Sequence, residues 1–331
     1  MKAIFNRLFQ YQTLNRSEAE QILINIASGQ FHGSQIASFL TIFMMRPVTL
    51  DELLGFRDAL LNMCIRVDLS EFNTIDVCGT GGDGHNTFNI STVSSFLLAG
   101  SGEKVAKHGN YGVSSNCGSS NILEYFGYRF STDQEKLKTE LDKAGICFLH
   151  APFFNPALKE VAGIRRELGV KTFFNMLGPM VNPSVPANQL VGVYSNELAR
   201  LYRYAYELGK TNYSIIHSND GYDEISLTSP FRVITRNGEQ SLTPESVGMQ
   251  NLLPEELYGG ETVEDAAIIF RNILNGKGTK AQNDVVLINS GLALQVLHPD
   301  KKLDECMAII HDTLFSGKGQ EAFNKLISLN K

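Results

Sequence analysis

The sequence predicts an α/β protein in which a small N-terminal all-helical domain precedes a larger domain with a mostly parallel central sheet flanked by helices. Two observations predict this class. Residues 1–66 show only helical periodicity, and beyond them strand-like runs alternate with helical segments. The chain of 331 residues is long enough for two unequal domains. We therefore predict a helical domain over 1–66, joined by part of 165–190, and an α/β domain over 70–331.

The N-terminal helices are predicted from capping signals and apolar periodicity. The segments Ser17–Glu20 and Thr49–Glu52 each fit a capping box, in which a hydroxyl residue precedes an acid by three positions. The segment Ile36–Met45 is apolar nearly all round, so its helix must be buried on several sides. Either the chain's own core or a second copy of the chain would bury it. We expect a homodimer through this domain.

Short apolar runs rich in β-branched and aromatic residues predict the strands of the second domain. Such runs, with helical segments between most of them, lie near Ile75, Val105, Tyr128, Cys147, Leu190 and Ile215. Strands that alternate with helices predict a parallel sheet covered by those helices. A small β-hairpin is expected within 228–250, with its turn at Asn237-Gly238. The stretch 152–185, rich in Pro and Asn, is expected to cross between the two domains.

Composition excludes several classes of protein. The net charge of −6 argues against a general nucleic-acid binder, which would carry a basic excess. The longest apolar runs are far too short to span a membrane, and Met1–Phe5 lacks the apolar region of a signal peptide. The 5 cysteines include no Cys-x-x-Cys pair, so we expect them to be reduced and mostly buried. The chain is therefore expected to be cytoplasmic, with no nucleic-acid or membrane partner.

A glycine-rich loop at 79–84 follows the first predicted strand. Its glycines let the backbone turn tightly and approach a ligand closely, and its N–H groups can converge on an anion. The segment Asn89–Thr92 is then predicted to start a helix, where unpaired N–H groups and the helix dipole favour negative charge. The Ser91 hydroxyl also suits Mg²⁺. Tight packing is the alternative explanation of such a turn, and the loop lacks the Gly-Lys-Ser/Thr of a Walker A motif.

A second loop strengthens the prediction of a phosphate site. Lys107 ends a predicted strand, where ligands bind in open α/β sheets, and its point charge suits phosphate. Asn110 offers both a donor and an acceptor. A second helix is predicted from Gly118, and its start is flanked by the hydroxyl residues Ser114, Ser115 and Ser119. Together the two loops indicate a polyphosphate ligand, whereas His108 is as consistent with orienting the loop as with contacting substrate.

These loops and the segments after them resemble the anthranilate phosphoribosyltransferase family of tryptophan biosynthesis. Gly-Thr-Gly-Gly-Asp at 79–83, Asn-Ile-Ser-Thr at 89–92 and Lys-His-Gly-Asn at 107–110 stand in the family's order. Downstream, Gly163–Gly169 resembles the family's second substrate segment and His217–Glu224 its acidic metal segment. The resemblance covers nearly the whole chain, and the long motif is highly specific.

The resemblance implies a pentosyltransferase that moves the phosphoribosyl group of 5-phosphoribosyl-1-pyrophosphate to the amine of anthranilate and releases pyrophosphate. The implied donor-binding residues are Gly79, Gly82, Asp83, Asn89, Ser91, Thr92, Lys107 and Ser119. Anthranilate would be held by Asn110 and Arg165, with further substrate contacts from Thr87, His108, Ser115 and Gly178. The implied Mg²⁺ ligands are Ser91, Asp223 and Glu224, and the implied catalytic residues are Lys107, Arg165, Asp223 and Glu224. The family also implies a homodimer.

Two of these assignments also follow from the residues themselves. A guanidinium such as that of Arg165 pairs bidentately with a carboxylate, which anthranilate carries. Asp223 and Glu224 form an acidic pair after an apolar strand, where a solvated turn is the alternative to a metal site. A pyrimidine nucleoside phosphorylase and a nucleic-acid-binding homologue without enzyme activity are the alternative functions.

Three positions depart from the family's usual pattern. Tyr111 stands where an arginine is common, Asn155 where a histidine is usual, and Ser120-Asn121 where Ala-Asp is common. The first two lie in segments that are expected to face the substrates. Acceptor binding is therefore where this chain is expected to differ from its relatives, since the phosphate and metal residues are intact.

Overall fold

The residues described by the computed structural model are 1–112 and 115–330, with the backbone alone described at 157, 159 and 160. The chain divides into two compact units, of which one comprises 1–66 with 151–183 and the other 67–150 with 184–331. The first unit is helical and the second contains the sheet, so the predicted fold class is confirmed. The second stretch of the helical unit begins earlier than the range 165–190 in which the sequence pattern placed it.

The described part of the chain forms fourteen α-helices. In chain order they are α1 (Lys2–Leu8), α2 (Arg16–Ala27), α3 (Gly33–Met45), α4 (Leu50–Met63), α5 (Ile90–Gly100), α6 (Ser119–Tyr125), α7 (Gln134–Ala144), α8 (Ala151–Phe154), α9 (Lys159–Leu168), α10 (Asn196–Glu207), α11 (Val263–Leu274), α12 (Lys280–Leu297), α13 (Leu303–Phe315) and α14 (Lys318–Ser328). None of these described helices combines the length and the hydropathy that a membrane span requires.

Helix starts in the first unit follow local capping chemistry. At α2 the Asn15 side chain accepts from the Glu18 N–H at 2.9 Å, and the Glu18 carboxylate accepts from the Asn15 N–H at 3.0 Å. The sequence placed this capping box at Ser17, which is wrong by two residues because a hydroxyl and an acid have the same spacing there. Thr49 and Glu52 form the predicted box at α4.

An aromatic cluster and a buried ion pair hold the helical unit together. The rings of Phe56 and Phe173 stack with centroids 4.2 Å apart. Because Phe173 belongs to the second stretch of this unit, the stacking joins the two stretches. Glu52 is fully buried and accepts hydrogen bonds from Arg46 at 2.9 Å and from the Leu14 N–H at 3.0 Å. The buried charge is therefore paired and hydrogen-bonded within the unit.

Seven strands of the described chain form one sheet in the second unit. They are β1 (Thr74–Gly79), β2 (Lys104–Gly109), β3 (Ile146–His150), β4 (Asn188–Gly192), β5 (Asn212–Ser218), β6 (Phe231–Thr235) and β7 (Gly238–Leu242). Their order across the sheet is β3-β2-β1-β4-β5-β6-β7. The first five pair in parallel, whereas β6 and β7 extend the sheet antiparallel. The hairpin turn comprises Arg236 and Asn237, one residue earlier than predicted.

The strand predicted near Tyr128 does not form, because the residues around it have irregular backbone. Tyr128 is nevertheless buried. Its hydroxyl donates to Glu140 at 2.7 Å, and its ring packs edge-on to Phe148 of β3 with centroids 6.3 Å apart. The aromatic run therefore reflected burial against the sheet rather than membership of it.

Candidate active site

The carboxyl ends of β1, β2, β4 and β5 lie side by side at one edge of the sheet. From β1 the chain runs outward through β2 and β3, and it returns to β4 on the other side of β1. Such a reversal of strand order opens a crevice at the carboxyl ends, where ligands bind in open α/β sheets. The glycine-rich loop follows β1, Lys107 lies in β2, and Asp223 follows β5. The topology thus gathers the predicted donor residues of this unit in one place.

Two glycines make room for an acid in this crevice. Gly79 ends β1, Gly192 ends β4, and the two are partners in the pairing of these strands. A Cβ on Gly79 would overlap the Asp223 carboxylate and lie 2.8 Å from its Cγ. A Cβ on Gly192 would overlap the Asp223 carbonyl oxygen and lie 2.6 Å from the carbonyl carbon. Asp223 therefore fits between the strand ends because both positions lack a side chain.

The glycine-rich loop bonds directly to this acid. The Gly81 N–H donates to Asp223 Oδ2 at 2.7 Å. Gly81 and Gly82 have φ of 63° and 73°, in the left-handed region that glycine adopts without strain. The His85 N–H donates to Asp83 Oδ1 at 3.1 Å, which fixes the far end of the loop. The loop is thereby held beside the acidic pair.

Asp223, Glu224 and Asp83 concentrate negative charge at this loop. Burial raises the pKa of Asp223, and the nearby Asp83 carboxylate raises it further. Burial also raises the pKa of Glu224 well above its usual range, with Asp223 and then Asp83 adding to the effect. A cation bound here would stabilise the ionised forms of all three acids.

The acidic pair suits a magnesium ion whose other ligands are phosphate oxygens of the substrate. Among the described residues, no three His, Cys, Asp or Glu side chains are grouped so that they could hold a metal ion by themselves. Mg²⁺ does not need such a group, because it is usually bound by one or two carboxylates together with substrate phosphates and water. Crowded, desolvated carboxylates beside a phosphate-binding loop supply that kind of site.

Lys107 lies beside the same loop, with 2% of its surface exposed. Its Nζ donates to the Val77 carbonyl at 2.7 Å and to Ser91 Oγ at 3.3 Å. Burial lowers the pKa of Lys107, while the nearby Asp76 carboxylate opposes that shift. The ammonium is therefore bonded within the protein, and a phosphate would have to compete with these two bonds for it.

The start of α5 is shared between the acidic pair and the predicted donor site. The Ser91 N–H donates to Glu224 Oε1 at 3.1 Å, so a carboxylate occupies part of the helix start that the sequence assigned to phosphate. Asn89 precedes the helix, and its Nδ2 donates to the Cys117 carbonyl at 2.9 Å. Its buried Oδ1 has no hydrogen-bond partner among the described residues. An orphaned acceptor of this kind suits a ligand hydroxyl.

The second loop closes around Asn110. The Ser120 N–H donates to the Asn110 carbonyl at 3.1 Å, and Ser119 Oγ donates to the same oxygen at 3.4 Å. Asn121 Oδ1 accepts from the N–H groups of Gly112 and Gly118, at 3.0 and 2.9 Å. These bonds tie the beginning of the loop to its end and leave Asn110 at an exposed bend.

Other predicted substrate residues of this unit have mainly structural contacts. Thr92 is buried in the first turn of α5. Ser115 Oγ donates to a backbone carbonyl at 3.4 Å. Thr87 forms an isolated β-bridge with Tyr258. Ser114 lies outside the described residues.

The buried acid Asp76 was missed from the sequence. It lies inside β1, is fully buried, and accepts from the His108 N–H at 3.1 Å and from Gln189 Nε2 at 3.4 Å. It thereby joins β1 to both neighbouring strands. An acid inside an apolar strand was the available signal, because a buried charge must be hydrogen-bonded. His150, the last residue of β3, was also not singled out from the sequence, because it lies in no recognisable motif.

Arg165 lies in the helical unit, on α9. Its Nη2 donates to Asn175 Oδ1 at 3.4 Å, and its guanidinium carbon lies 5.1 Å from the Phe174 ring centroid. Burial lowers the pKa of Arg165, and no carboxylate of the described chain pairs with it. A partly buried guanidinium in this state suits a carboxylate from outside the protein.

Two other positions of the helical unit that were expected to contact substrate have contrasting surroundings. Gly178 begins a 3₁₀ turn, is exposed, and has no atom within 4 Å of a Cβ built on it. Its position therefore does not require glycine. Asn155, which was expected to face the substrates, is only 3% exposed, and its Nδ2 has no hydrogen-bond partner within the described chain. Asn155 thus lies in the interior rather than on an open surface.

Both parts of the chain match glycosyltransferase family models. Residues 2–64 match the model described as the helical bundle domain of the glycosyl transferase family, and residues 71–320 match that of its a/b domain. The fold and the phosphate-binding edge of the sheet agree with this class. The chain is therefore a glycosyltransferase, and its parts are a helical bundle and an α/β domain.

Full-length relatives define the family within that class. The anthranilate phosphoribosyltransferase of Flavobacterium johnsoniae is 56% identical over 330 residues, and that of Bacteroides fragilis strain YCH46 is 51% identical, each match covering 100% of both chains. The crystal structure of the Thermus thermophilus enzyme has a TM-score of 0.91 at 29% identity, covering 98% of each chain. The Saccharomyces cerevisiae enzyme in complex with PRPP and Mg has a TM-score of 0.91 at 26% identity, covering 98% of this chain and 96% of that one. The chain belongs to the anthranilate phosphoribosyltransferase family.

Proposed function

We propose that the chain transfers the phosphoribosyl group of 5-phosphoribosyl-1-pyrophosphate to the amine of anthranilate, giving N-(5-phosphoribosyl)anthranilate and pyrophosphate in tryptophan biosynthesis. One observation carries the proposal. In a chain of this family, the loop 79–84, Lys107 and the buried pair Asp223 and Glu224 meet at the carboxyl edge of one sheet. The complex of the yeast relative with PRPP and Mg supports the same donor and cation for this chain.

The α/β unit binds the donor. The N–H groups of the loop 79–84 bind pyrophosphate oxygens, and the charge of Lys107 stabilises the same group. The orphaned Asn89 Oδ1 accepts a hydrogen bond from a ribose hydroxyl. Ser91, Asp223 and Glu224 hold Mg²⁺. When bound, this ion supplies positive charge that stabilises the departing pyrophosphate.

The reaction exchanges one bond at the anomeric carbon for another. The bond from that carbon to the pyrophosphate oxygen breaks, and the oxygen keeps the electron pair. The amine nitrogen of anthranilate bonds to the carbon and then releases a proton to water. Because positive charge develops on the ribose as pyrophosphate leaves, the protein must chiefly position the substrates and stabilise charge. Asn110 and Arg165 position the acceptor, with the guanidinium paired to the anthranilate carboxylate.

A fluorescence assay tests this proposal. Anthranilate fluorescence is followed after addition of 5-phosphoribosyl-1-pyrophosphate, with and without Mg²⁺. We expect Mg²⁺-dependent loss of fluorescence with stoichiometric release of pyrophosphate. The double variant Asp223→Asn with Glu224→Gln should weaken activation by Mg²⁺. Asp220→Asn, at an exposed acid in the same turn, is the matched control. Phosphorolysis of thymidine without a metal requirement, in place of this reaction, would contradict the proposal.

We also propose that the helical unit forms a homodimer. A groove of about 450 Å³ runs along α1 and α3 and is lined mainly by apolar side chains, which include Phe9, Tyr11, Ile42 and Met45. Met45 is 79% exposed and Tyr11 is 77% exposed, although α3 is apolar nearly all round. A second copy of these helices would cover the exposed apolar residues, because an isologous interface presents the same patch from both subunits.

Sedimentation tests the dimer. We expect a dimer at micromolar concentration for the wild type and a monomer for Met45→Glu, because the new charge would be buried at the interface. Leu208→Glu, at an exposed apolar residue of the α/β unit, should leave the dimer intact. A wild-type monomer would rule the proposal out.

We further infer a cytoplasmic location. All five cysteines are free, as expected where thiols are kept reduced. Burial raises the pKa of Cys117 to about 11, so it stays a thiol at neutral pH. Cell fractionation tests the inference, and recovery of the protein outside the cytoplasm would contradict it.

A further inference from the structure

A buried serine and histidine meet behind the second loop. Ser120 Oγ and His150 Nδ1 are 2.8 Å apart, and at most 2% of either residue is exposed. Ser120 is the second residue of α6, and His150 is the last residue of β3. The mechanism proposed above uses neither side chain. A hydrogen bond between two such buried groups fixes α6 against the carboxyl end of β3.

This pair connects directly to the loop that carries Asn110. The Ser120 N–H donates to the Asn110 carbonyl at 3.1 Å. Ser120 therefore binds the loop through its backbone and binds His150 through its side chain. His150 is also the partner of Gly109 in the pairing of β2 with β3. Ser120 and His150 therefore fix the residue before Asn110 and the carbonyl of Asn110 itself.

A contact inside the same bend orients the Asn110 side chain. Its Oδ1 accepts from the Tyr111 N–H at 2.8 Å, within the bend that the Ser120 bond closes. With Oδ1 engaged, the end of the amide that can meet a ligand carboxylate is the donor Nδ2, which is the group that a carboxylate requires. Asn110 would lose this orientation if the bend moved.

Aromatic rings enclose His150 and fix its plane. The Phe130 ring stacks on the imidazole with centroids 4.3 Å apart, and the Tyr111 ring meets it edge-on at 4.9 Å. Burial, and then the nearby His108, lower the pKa of His150 to about 4, so the imidazole is neutral at physiological pH. It orients the loop without adding charge, and Tyr111, which is 39% exposed, rests on it.

We propose that His150 and Ser120 act as positioning residues for the acceptor. They hold the Asn110–Tyr111 bend in the conformation that binds anthranilate. The inference rests on the proposed function.

Two substitutions at position 150 separate the hydrogen bond from the packing. His150→Phe keeps an aromatic ring between Phe130 and Tyr111 but removes Nδ1. His150→Asn loses the ring but places an amide atom near the position of Nδ1, so it can still bond to Ser120. We expect His150→Phe to raise the KM for anthranilate about tenfold and to change the KM for the donor by less than about twofold. His150→Asn should stay within about threefold of the wild type in both constants.

Ser120→Ala provides a second route to the same bond. It removes Oγ but keeps the N–H that binds the Asn110 carbonyl. We expect a rise in the anthranilate KM similar to that of His150→Phe, with the double variant no worse than either single one, because both remove the same interaction. Additive effects would show that the two residues act separately and would overturn the proposal.

The outcomes separate this inference from the proposed function. A wild-type protein that does not convert anthranilate contradicts the function itself. An active wild type, with an unchanged anthranilate KM in folded His150→Phe, contradicts only the positioning role. Equal increases in both KM values would also overturn it, because a general structural role would not select the acceptor. Circular dichroism on each variant identifies those that have failed to fold.

Discussion

Gly79 and Gly192 are paired on adjacent strands, and Asp223 occupies the space that their side chains would take. The Asp223 carboxylate lies against Gly79, and the Asp223 carbonyl lies against Gly192. The two glycines therefore fix the position and the orientation of the turn that carries Asp223. The Gly81 N–H then bonds to the same carboxylate at 2.7 Å. Asp223, a predicted metal ligand, thus owes its position to two residues without side chains, on strands to which it does not itself belong.

Gly192→Ala should disable the proposed metal site. The new Cβ would overlap the Asp223 carbonyl oxygen, so either β4 or the turn that carries Asp223 must move. We expect Mg²⁺-dependent activity to fall by roughly a hundredfold, since misplacement by about 1 Å has effects of that size. We expect the free energy of unfolding to fall by about 1–3 kcal/mol. Steady-state assays over a range of Mg²⁺ and urea unfolding measure the two effects.

Gly209→Ala is the matched control for this change. A Cβ on Gly209 meets the Tyr206 carbonyl oxygen at 3.6 Å, an ordinary contact, in the same unit. Its activity and stability should stay near those of the wild type. If Gly192→Ala behaved in the same way, the turn would have room to move and the glycine pair would not define the site.

Neutralising the acidic pair should stabilise the metal-free protein. Burial raises the pKa values of Asp223 and Glu224. Asp83 raises that of Asp223 further, and Asp223 and then Asp83 raise that of Glu224, so the folded state holds protons that the unfolded state releases. The wild type therefore loses stability as pH rises above the unfolded-state values of about 4. Asp223→Asn with Glu224→Gln removes this loss. Without Mg²⁺, its advantage in urea midpoint over the wild type should be larger at pH 8 than at pH 5.

Added Mg²⁺ should reverse that ranking. An ion bound only by the folded wild type stabilises it by mass action, whereas the amides bind the ion weakly. Titration of Mg²⁺ against the urea midpoint at pH 8 measures this. A double variant that is less stable than the wild type at every pH without Mg²⁺ would mean that the carboxylates are stabilised by contacts other than a cation.

That the proposed donor residues lie close together was largely predictable, because parallel strands bring their carboxyl ends to one edge of a sheet. Lys107 lies near the end of β2, and the loop 79–84 follows the neighbouring strand β1, so their proximity followed from the alternating pattern. The role of Gly192 was not predictable. It ends a strand like many glycines, and its function depends on the register of β4 with β1 and on a turn far along the chain.

Two side-chain roles also required the tertiary structure. The helix start at Ser91 was predicted to face phosphate, but the chain brings the carboxylate of Glu224 to the Ser91 N–H. His150 shows no local signal because it is a single histidine at the end of an apolar strand, and its partner Ser120 lies thirty residues earlier. Aromatic content predicted a strand at Tyr128. The backbone there is irregular instead, and it is held by the hydrogen bond from the Tyr128 hydroxyl to Glu140 and by packing on β3.

Arg165→Ala should raise the KM for the acceptor far more than the KM for the donor. Its guanidinium has no carboxylate partner in the described chain, so it can bind the anthranilate carboxylate without breaking a protein ion pair. We expect the anthranilate KM to rise roughly a hundredfold and the donor KM to change by less than about threefold. Arg166→Ala, at an exposed neighbour on the same helix, is the control. Equal effects on both KM values would show that Arg165 has a structural role.

Glu52→Gln should destabilise the helical unit at neutral pH and much less in acid. Burial opposes ionisation of Glu52, but hydrogen bonds from Arg46 and from the backbone at Leu14 and Thr49 prevail and lower its pKa overall. A lowered pKa contributes stability that is present above the unfolded-state value and is lost as pH falls through the folded one. We expect the variant to lose about 2–4 kcal/mol at pH 7, because it leaves the Arg46 charge buried without its partner.

The pH dependence separates this charge effect from packing. The difference between wild type and Glu52→Gln should shrink as pH falls below about 4, since the wild-type acid then becomes protonated as well. Urea unfolding followed by circular dichroism at pH 7, 5 and 3.5 measures it. Asp51→Asn, at the exposed acid one position earlier, removes the same charge and should cost no more than about 1 kcal/mol. A loss in Glu52→Gln that is equally large at every pH would mean that the shape of the carboxyl group, and not its charge, stabilises the unit.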